Sequence, residues 1–189
     1  MRLTEIEIDT AVGPYVATVD EAGVLRAARF GAPGSRAASP RAATPHATPP
    51  HATPPHATPP HAATVHAALR ERLAAYFAGA VDALDDLRVE PDGSPFQRRV
   101  WDALRCTRAG ETLSYGRLAA LLELHDVHAA RAVGAANAAN PAAVVIPCHR
   151  VIAADGRPLG YAWGVERKTW LLRHEAEHAA AAGVQGRLL

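Results

Sequence analysis

Apolar and polar residues alternate over the first thirty positions of the chain. The segment TEIEID sets the pattern, and YVATV and VLRAARF continue it after the turn sequences AVGP and DEAG. A period of two residues is typical of strands with one buried face. We therefore expect residues 1–30 to form a small antiparallel β-meander.

A helical period begins at residue 65. The first apolar stripe consists of Val65, Leu69, Leu73 and Phe77, and Gly79 ends this helix. This helix and the acidic loop after it, residues 65–93, are expected to complete the N-terminal domain. A second helix starts in SPFQRRVWDALRCT, where Ser94 can act as N-cap and Pro95 takes the first helical position. Its predicted inward face consists of Phe96, Val100, Ala103, Leu104 and Thr107.

Residues 31–64 follow neither period. They are rich in Pro, Ala, Thr and His and contain a five-residue repeat of the form PHATP. Few of the side chains are apolar and large enough to offset the entropy lost on ordering, so the composition predicts a disordered linker. No carboxylate or thiol accompanies the histidines of the repeat, and we predict no functional metal site there.

Two short helical segments follow in ETLSYGRLAALLELHDVHAARAVGAANAANP, joined by LHDV and ended by Pro141. This outline fits a helix-turn-helix unit, but the outline alone favours an ordinary antiparallel helix pair. The second helix surrounds Arg131 with alanines and Gly134. Such small side chains would let its backbone approach a narrow minor groove, or pack tightly against another helix.

Composition limits the class of protein. The chain has 189 residues, 49% of them hydrophobic, and a net charge of +1, with eleven basic and seven acidic residues in 94–175. No apolar run approaches a membrane span and the N-terminus has no signal pattern, so we expect a cytoplasmic protein without a membrane partner. The two cysteines, Cys106 and Cys148, are expected as free thiols. Cys106 is predicted to be a small core residue of the second helix.

Cys148 stands in the apolar segment IPCHRVI, after a buried-strand candidate at residues 142–146. The spacing to later histidines fits no standard zinc site. A nucleophilic thiol needs a base or a positive charge nearby. The candidates are His149, Arg150 and Lys168, with Glu175 available to orient a histidine. Neighbours in an extended segment point to opposite faces, so a water or a local turn would have to join His149 to the sulfur. These residues alone leave a nucleophile and an inert core thiol equally open.

The segments SPFQRRVW, SYGRLAAL, ARAVGAANAANP, IPCHRVI and GYAWGVERKTWLLRHE strongly resemble the O6-alkylguanine-DNA alkyltransferase family. The resemblance covers residues 94–175 and implies an α+β protein. It would have a small N-terminal sheet domain, a C-terminal, mainly helical catalytic and DNA-binding domain with a helix-turn-helix unit, and a tail at residues 176–189. It also implies direct, single-turnover transfer of an alkyl group from guanine O6 to a cysteine, without a cofactor or metal.

The resemblance assigns roles residue by residue. Cys148 matches the alkyl acceptor, and His149 and Glu175 match the pair that, with a water, removes the thiol proton. Asn140 matches the asparagine that ties the recognition helix to the active-site turn, and Tyr115 matches a donor to the guanine. For DNA binding, Arg131 matches the finger that replaces the flipped nucleotide, on a minor-groove helix that includes Ala130 and Gly134. For substrate binding, the resemblance indicates Tyr161, Ala162 and Lys168.

The implied partner is duplex DNA that contains O6-alkylguanine, bound by a monomer. Three other interpretations remain. An alkyltransferase-like protein would bind such lesions without repair, but it lacks the acceptor cysteine. A Cys-His-Glu hydrolase would need an oxyanion hole, for which the sequence has no signature. A plain DNA-binding regulator would need more base-reading side chains on its recognition helix.

Overall fold

The computed structural model describes residues 2–31 and 60–181. The chain starts with strands β1 (Leu3–Thr10), β2 (Gly13–Asp20) and β3 (Leu25–Phe30), which form an antiparallel sheet in the order β1-β2-β3. One face is closely packed, because Tyr15, Ala17 and Val19 of β2 are fully buried. The predicted meander is confirmed.

Helix α1 (Pro60–Phe77) packs against β1. It begins five residues before the predicted end of the linker, so the prediction of disorder is wrong for residues 60–64; residues 32–59 lie outside the described part. Leu69 and Leu73 are buried as expected. Tyr76, absent from the predicted stripe, is buried as well, and the helix therefore presents a wider apolar face to the protein interior.

Helix α2 (Pro95–Arg105) begins with a capping box. The amide of Gln97 donates to Oγ of Ser94 at 3.2 Å, and the amide of Ser94 donates to Oε1 of Gln97 at 2.8 Å. Its buried residues are Val100, Trp101 and Leu104. Cys106 follows the last helical residue and is exposed, so the prediction of a core position is wrong for this thiol.

The short strand β4 (Leu113–Ser114) leads into α3 (Tyr115–Leu121) and α4 (Ala129–Ala138), which pack against each other. The pair has the helix-turn-helix outline, and α4 ends within two residues of its predicted boundary. The inner face of α4 consists of Ala129, Val133, Ala136 and Asn137. The opposite face is exposed and includes Ala130 and Arg131.

Residues 142–146 are buried but form a tight turn in place of the predicted strand. Val144 has a positive φ of 70°, a left-handed conformation that a β-branched residue adopts only when its surroundings impose it. The flanking backbone is held by β3, where the amide of Ala28 donates to Pro141 and the amide of Ala143 donates to Ala28, both at 2.8 Å. These two hydrogen bonds therefore hold the backbone that leads to Cys148 against β3 of the N-terminal sheet.

The chain continues through a 3₁₀ turn at Cys148–Arg150 and strand β5 (Val151–Ile152), which pairs with β4 in parallel. Helix α5 (Val165–Ala181) closes the described part of the fold and contacts the 3₁₀ turn. The architecture is α+β, as predicted. Within residues 2–31 and 60–181, no helix is long and apolar enough to cross a membrane.

Candidate active site

Cys148 is the first residue of the 3₁₀ turn, and only 2% of its surface is exposed. The amide of Cys148 donates to the carbonyl of Ile146 at 2.8 Å. Nδ2 of Asn140 donates to the same carbonyl at 2.8 Å, while its Oδ1 accepts from the amide of Ala142 at 2.9 Å. Asn140 thus joins the end of α4 to both sides of the turn that precedes the cysteine.

Of the two alternatives that the sequence left open, a bridging water or a local turn, the structure contains a local turn, because Cys148 and His149 lie on the 3₁₀ turn. Because the backbone turns here, His149 is carried into the protein interior and is fully buried. Its Nε2 lies 2.9 Å from Oε1 of Glu175 on α5. The structure therefore brings together the histidine and the carboxylate, which are separated by 26 positions in sequence.

Glu175 is the centre of a buried polar cluster. Besides His149, Arg150 donates to it twice, from Nε to Oε2 at 2.9 Å and from Nη2 to Oε1 at 2.8 Å. The hydroxyl of Tyr76 on α1 donates to Oε1 at 2.7 Å, and the amide of Gly110 donates to Oε2 at 3.4 Å. Charge-assisted and bidentate bonds of this kind hold a carboxylate in one orientation.

Burial and the hydrogen-bond partners in the site shift the pKa values of Cys148, His149 and Glu175 in opposite directions. Burial raises the pKa of the Cys148 thiol to about 11, even though Asn140 and Lys168 lower it in part. Burial lowers the pKa of His149, and the attraction of Glu175 offsets only part of that effect. For Glu175, burial alone would raise the pKa, but His149 and Arg150 together hold it well below its ordinary value. At neutral pH the site therefore holds a thiol, a neutral imidazole and a carboxylate.

These charge states fix the tautomer of His149. An ionised carboxylate only accepts hydrogen bonds, so Nε2 carries the proton that points to Glu175. Nδ1 is then left with a lone pair, and this buried atom has no hydrogen-bond partner within the described residues. A buried imidazole whose free nitrogen can accept a proton is suited to general base catalysis.

Tyr115 begins α3 and lies next to Gly134 of α4. It is half-buried, and burial, followed by the proximity of Cys148, raises the pKa of its phenol, which is therefore a hydrogen-bond donor at neutral pH. A Cβ at Gly134 would lie 3.6 Å from the Tyr115 ring, an ordinary van der Waals distance, so α4 and the tyrosine pack closely here. Ala130 and Arg131 are exposed on the outer face of α4, away from this packing.

The loop of residues 159–164 also approaches the cysteine, because burial first, and then the proximity of Cys148, raises the pKa of Tyr161 well above its ordinary value. The hydroxyl of Tyr161 is buried and has no hydrogen-bond partner in the described part of the chain, whereas Ala162 is exposed. A side chain at Gly160 would lie 3.9 Å from the Tyr115 hydroxyl, which shows how closely the loop approaches α3. The three predicted elements, the cysteine turn, Tyr115 and the loop, thus surround one site.

Lys168 is fully buried at the base of this loop. Its Nζ donates to the carbonyls of Val151 at 2.6 Å, Leu159 at 2.7 Å and Gly160 at 3.4 Å. Burial lowers the pKa of Lys168, and Cys148 acts in the other direction. Its three bonds to backbone carbonyls favour a role in holding the loop.

Among the described residues, no three His, Cys, Asp or Glu side chains are close enough together to hold a metal ion. The histidines of the PHATP repeat up to residue 59 lie outside the described part.

Comparisons with known proteins place this geometry in a family. The profile of "6-O-methylguanine DNA methyltransferase, DNA binding domain" matches residues 95–177. The methylated-DNA--protein-cysteine methyltransferase of Salmonella typhimurium is 49% identical over 107 residues, 57% of this chain and 61% of that protein. The protein of the same name from Mycolicibacterium paratuberculosis is 49% identical over 112 residues, 59% of this chain and 66% of that protein.

A solved structure extends the similarity to almost the whole chain. Mycobacterium tuberculosis OGT, crystallised in complex with DNA, superimposes with a TM-score of 0.67 at 33% identity, over 92% of this chain and 93% of that one. The chain belongs to the methylated-DNA–protein-cysteine methyltransferase family. The sequence matches to the curated methyltransferases are shorter and span about three fifths of the Salmonella protein.

Sequence reasoning missed Tyr76 and Asn137 of this methyltransferase-family site, and it named Arg150 as a positive charge near the thiol without its partner Glu175. Tyr76 and Arg150 both bind Glu175, and Nη1 of Arg150 also donates to the carbonyl of Thr107. Asn137 on α4 is buried, and its Nδ2 lies 3.4 Å from the carbonyl of Cys148. Arg150 directly follows His149 within an apolar run. A charged residue in such a run is buried only when it is paired, so this position could have indicated a buried carboxylate partner. Tyr76 had no comparable signal.

Proposed function

We propose that the protein repairs DNA by direct transfer of an alkyl group from O6-alkylguanine to Cys148, after the damaged nucleotide is flipped out of the duplex. The observation that carries the proposal is the buried thiol next to the His149–Glu175 pair, in a chain of the methylated-DNA–protein-cysteine methyltransferase family. The similar OGT of Mycobacterium tuberculosis was crystallised in complex with DNA, which supports DNA as the partner.

The chemistry starts from a protonated thiol. With a pKa of about 11, Cys148 has little thiolate at neutral pH, and its proton must leave as the reaction proceeds. Nδ1 of His149 accepts this proton through a water, and the imidazolium is stabilised by the carboxylate of Glu175. The sulfur then attacks the alkyl carbon, the bond from this carbon to O6 breaks, and the sulfur keeps the alkyl group as a thioether.

The leaving guanine gains electron density as this bond breaks. The phenol of Tyr115 is protonated and faces the site, so it can donate a hydrogen bond to the base and limit the negative charge that develops. The loop of residues 159–164 covers the base, and a backbone N–H at Ala162 meets O6. Because a thioether is not readily reversed, each molecule reacts once.

Binding of the duplex is assigned to α4. Its exposed face carries small side chains around Arg131, and a helix of this kind can enter the minor groove. Arg131 fills the space of the flipped nucleotide and offsets part of the unstacking free energy, which amounts to a few kcal/mol. The proposed partner is therefore duplex DNA that contains the lesion, bound by one copy of the chain.

The decisive experiment is mass spectrometry of the protein after incubation with duplex DNA that contains O6-methylguanine. We expect one added methyl group, located on the peptide with Cys148, and a lesion restored to guanine. Cys148→Ala should abolish transfer and keep binding. The chain provides a matched control in its exposed thiol: Cys106→Ala should transfer at the wild-type rate. Tight binding to the lesion without a mass change would refute transfer and favour an alkyltransferase-like binding protein.

A further inference from the structure

Arg167 connects the N-terminal sheet to the loop over the active site. Its Nε donates to the carbonyl of Val12, in the turn between β1 and β2, at 2.9 Å. Its Nη1 donates to the carbonyl of Trp163, within the loop, at 2.9 Å. One rigid guanidinium thus binds two backbone segments that are about 150 positions apart in sequence.

The sheet is shaped to receive this side chain. The guanidinium carbon lies 5.2 Å from the centre of the Phe30 ring, within the range of a cation–π contact. Gly13 has a φ of +103°, and a side chain there would come within 3.2 Å of Nη2 of Arg167. A glycine in the turn therefore permits the close approach as well as the backbone conformation.

Arg167 and Lys168 hold the same loop from two sides. Lys168 binds the start of the loop from within, through the carbonyls of Leu159 and Gly160. Arg167 binds its end, at Trp163, and connects it to the sheet. Tyr161 and Ala162 lie between these two anchors, where the proposed function requires the loop to meet the flipped base.

We propose that Arg167 is a positioning residue through which the N-terminal sheet sets the loop of residues 159–164 over the substrate base. The inference rests on the proposed function for what the loop binds. It assigns to the N-terminal domain a role in capture of the base, in addition to its packing against the catalytic domain. The chemical step is not affected directly, because Arg167 does not belong to the cluster around Glu175.

The test uses full-length Arg167→Met in two measurements. Hydrogen–deuterium exchange of the free protein should show faster exchange of residues 159–164 than in the wild type. Single-turnover reaction with free O6-benzylguanine at increasing concentration should show a half-saturating concentration raised about tenfold, as expected for the loss of a hydrogen bond from a charged donor. The limiting rate and its pH profile should stay close to those of the wild type.

Arg173→Met is the matched control, since Arg173 lies on the same helix and pairs with exposed Glu177. Arg167→Lys should give a smaller increase in both measurements than Arg167→Met, because its amine can replace one of the two hydrogen bonds of the guanidinium but not both. This variant also takes the place of Arg167→Met if the latter does not fold. The proposal is overturned if Arg167→Met and Arg173→Met show the same exchange rate for residues 159–164 and the same half-saturating concentration of O6-benzylguanine. Loop exchange is measured without substrate, so failure of the wild type to transfer would count against the proposed function alone.

Discussion

The hydroxyl of Tyr76 donates a 2.7 Å hydrogen bond to Oε1 of Glu175, across 99 positions of sequence. Tyr76 belongs to α1, which packs against β1, whereas Glu175 belongs to α5 and orients His149. Helix α1 therefore supplies one of the donors that hold the proposed catalytic carboxylate. Burial first, and then the charge of Glu175, raises the pKa of Tyr76 well above its ordinary value, so the donor stays protonated.

This relationship can be tested by comparing two buried tyrosines. Tyr76→Phe removes a bond to a charged acceptor and should lower the free energy of unfolding by about 1.5–3 kcal/mol. Tyr15→Phe removes a bond to the neutral carbonyl of Ala143, which keeps a second donor in the amide of Val145, and should cost about 0.5–1.5 kcal/mol. Urea unfolding at neutral pH measures both. An equal or larger loss for Tyr15→Phe would contradict the role of Tyr76.

Glu175 should make the stability depend on acid pH. Its pKa is lower in the folded than in the unfolded protein, so its contribution is fully present above its ordinary pKa of 4.5 and is lost as the pH falls through the folded value. Glu175→Gln leaves Arg150 buried without its carboxylate and should cost about 3–5 kcal/mol at neutral pH. Urea unfolding between pH 3 and pH 7 should show this cost constant above about pH 5 and shrinking in more acidic solution.

Glu177→Gln is the control for this experiment, because Glu177 lies on the same helix and is exposed. It should change the stability little at any pH. If the two variants lose equal stability, or if the cost of Glu175→Gln grows toward acid pH, then the buried cluster does not hold Glu175 ionised.

The sequence predicted those helices and strands whose first and last residues are determined by residues nearby in the sequence. Ser94 and Pro95 predicted the start of α2, and the structure confirms Ser94 as the N-cap, within a capping box that also includes Gln97. The meander was predicted for the same reason, since alternation and turn residues are local. The burial of Trp101 in α2 was not predicted. Its Nε1 donates to the carbonyl of Ala136, a partner 35 positions away that no local pattern indicates.

The segment at residues 142–146 shows where apolar character is not sufficient. Five small or branched apolar residues favour a strand, but contacts with β3 and the hydroxyl of Tyr15 impose a turn with Val144 in a left-handed conformation. Cys106 was misplaced for a simpler reason: it follows Leu104 by two positions, so the helical turn points its side chain away from the buried face formed by Val100, Trp101 and Leu104.

For the site, the residues alone left the nature of Cys148 open. The resemblance to a family supplied the pairing of His149 with Glu175, and the 2.9 Å contact between them agrees with it. The neighbours of Glu175 depended on the tertiary structure, because Tyr76 and Gly110 arrive from distant parts of the chain.

The pH dependence of transfer should separate assisted from unassisted deprotonation of Cys148. A thiol with a pKa of about 11 is ionised in only about one molecule in ten thousand at pH 7. If neutral His149 accepts the proton, the rate should rise through the lowered pKa of His149, below its ordinary value of 6.5, and then stay level through neutral pH. The measurement is the single-turnover rate with free O6-benzylguanine from pH 5 to pH 10.

His149→Gln removes the base and keeps a polar side chain opposite Glu175. Its rate should be low at neutral pH and should increase about tenfold per pH unit toward the pKa of the thiol. A level profile for His149→Gln, or a steep rise for the wild type between pH 7 and pH 9, would contradict the role of His149 as base.

Arg131 should matter for duplex DNA and not for the chemical step. Its side chain is exposed on α4, so Arg131→Ala should leave the free energy of unfolding close to that of the wild type. Without a side chain to fill the gap left by the flipped nucleotide, repair of O6-methylguanine in a duplex should slow about tenfold or more, as expected from a loss of about 1–3 kcal/mol. Reaction with free O6-benzylguanine requires no flipping and should proceed at the wild-type rate.

Arg157→Ala, which removes an exposed arginine paired with Asp155, is the control for the loss of one positive charge. Equal losses on duplex and free base for Arg131→Ala, or equal losses on duplex for the two variants, would rule out the proposed insertion into the duplex.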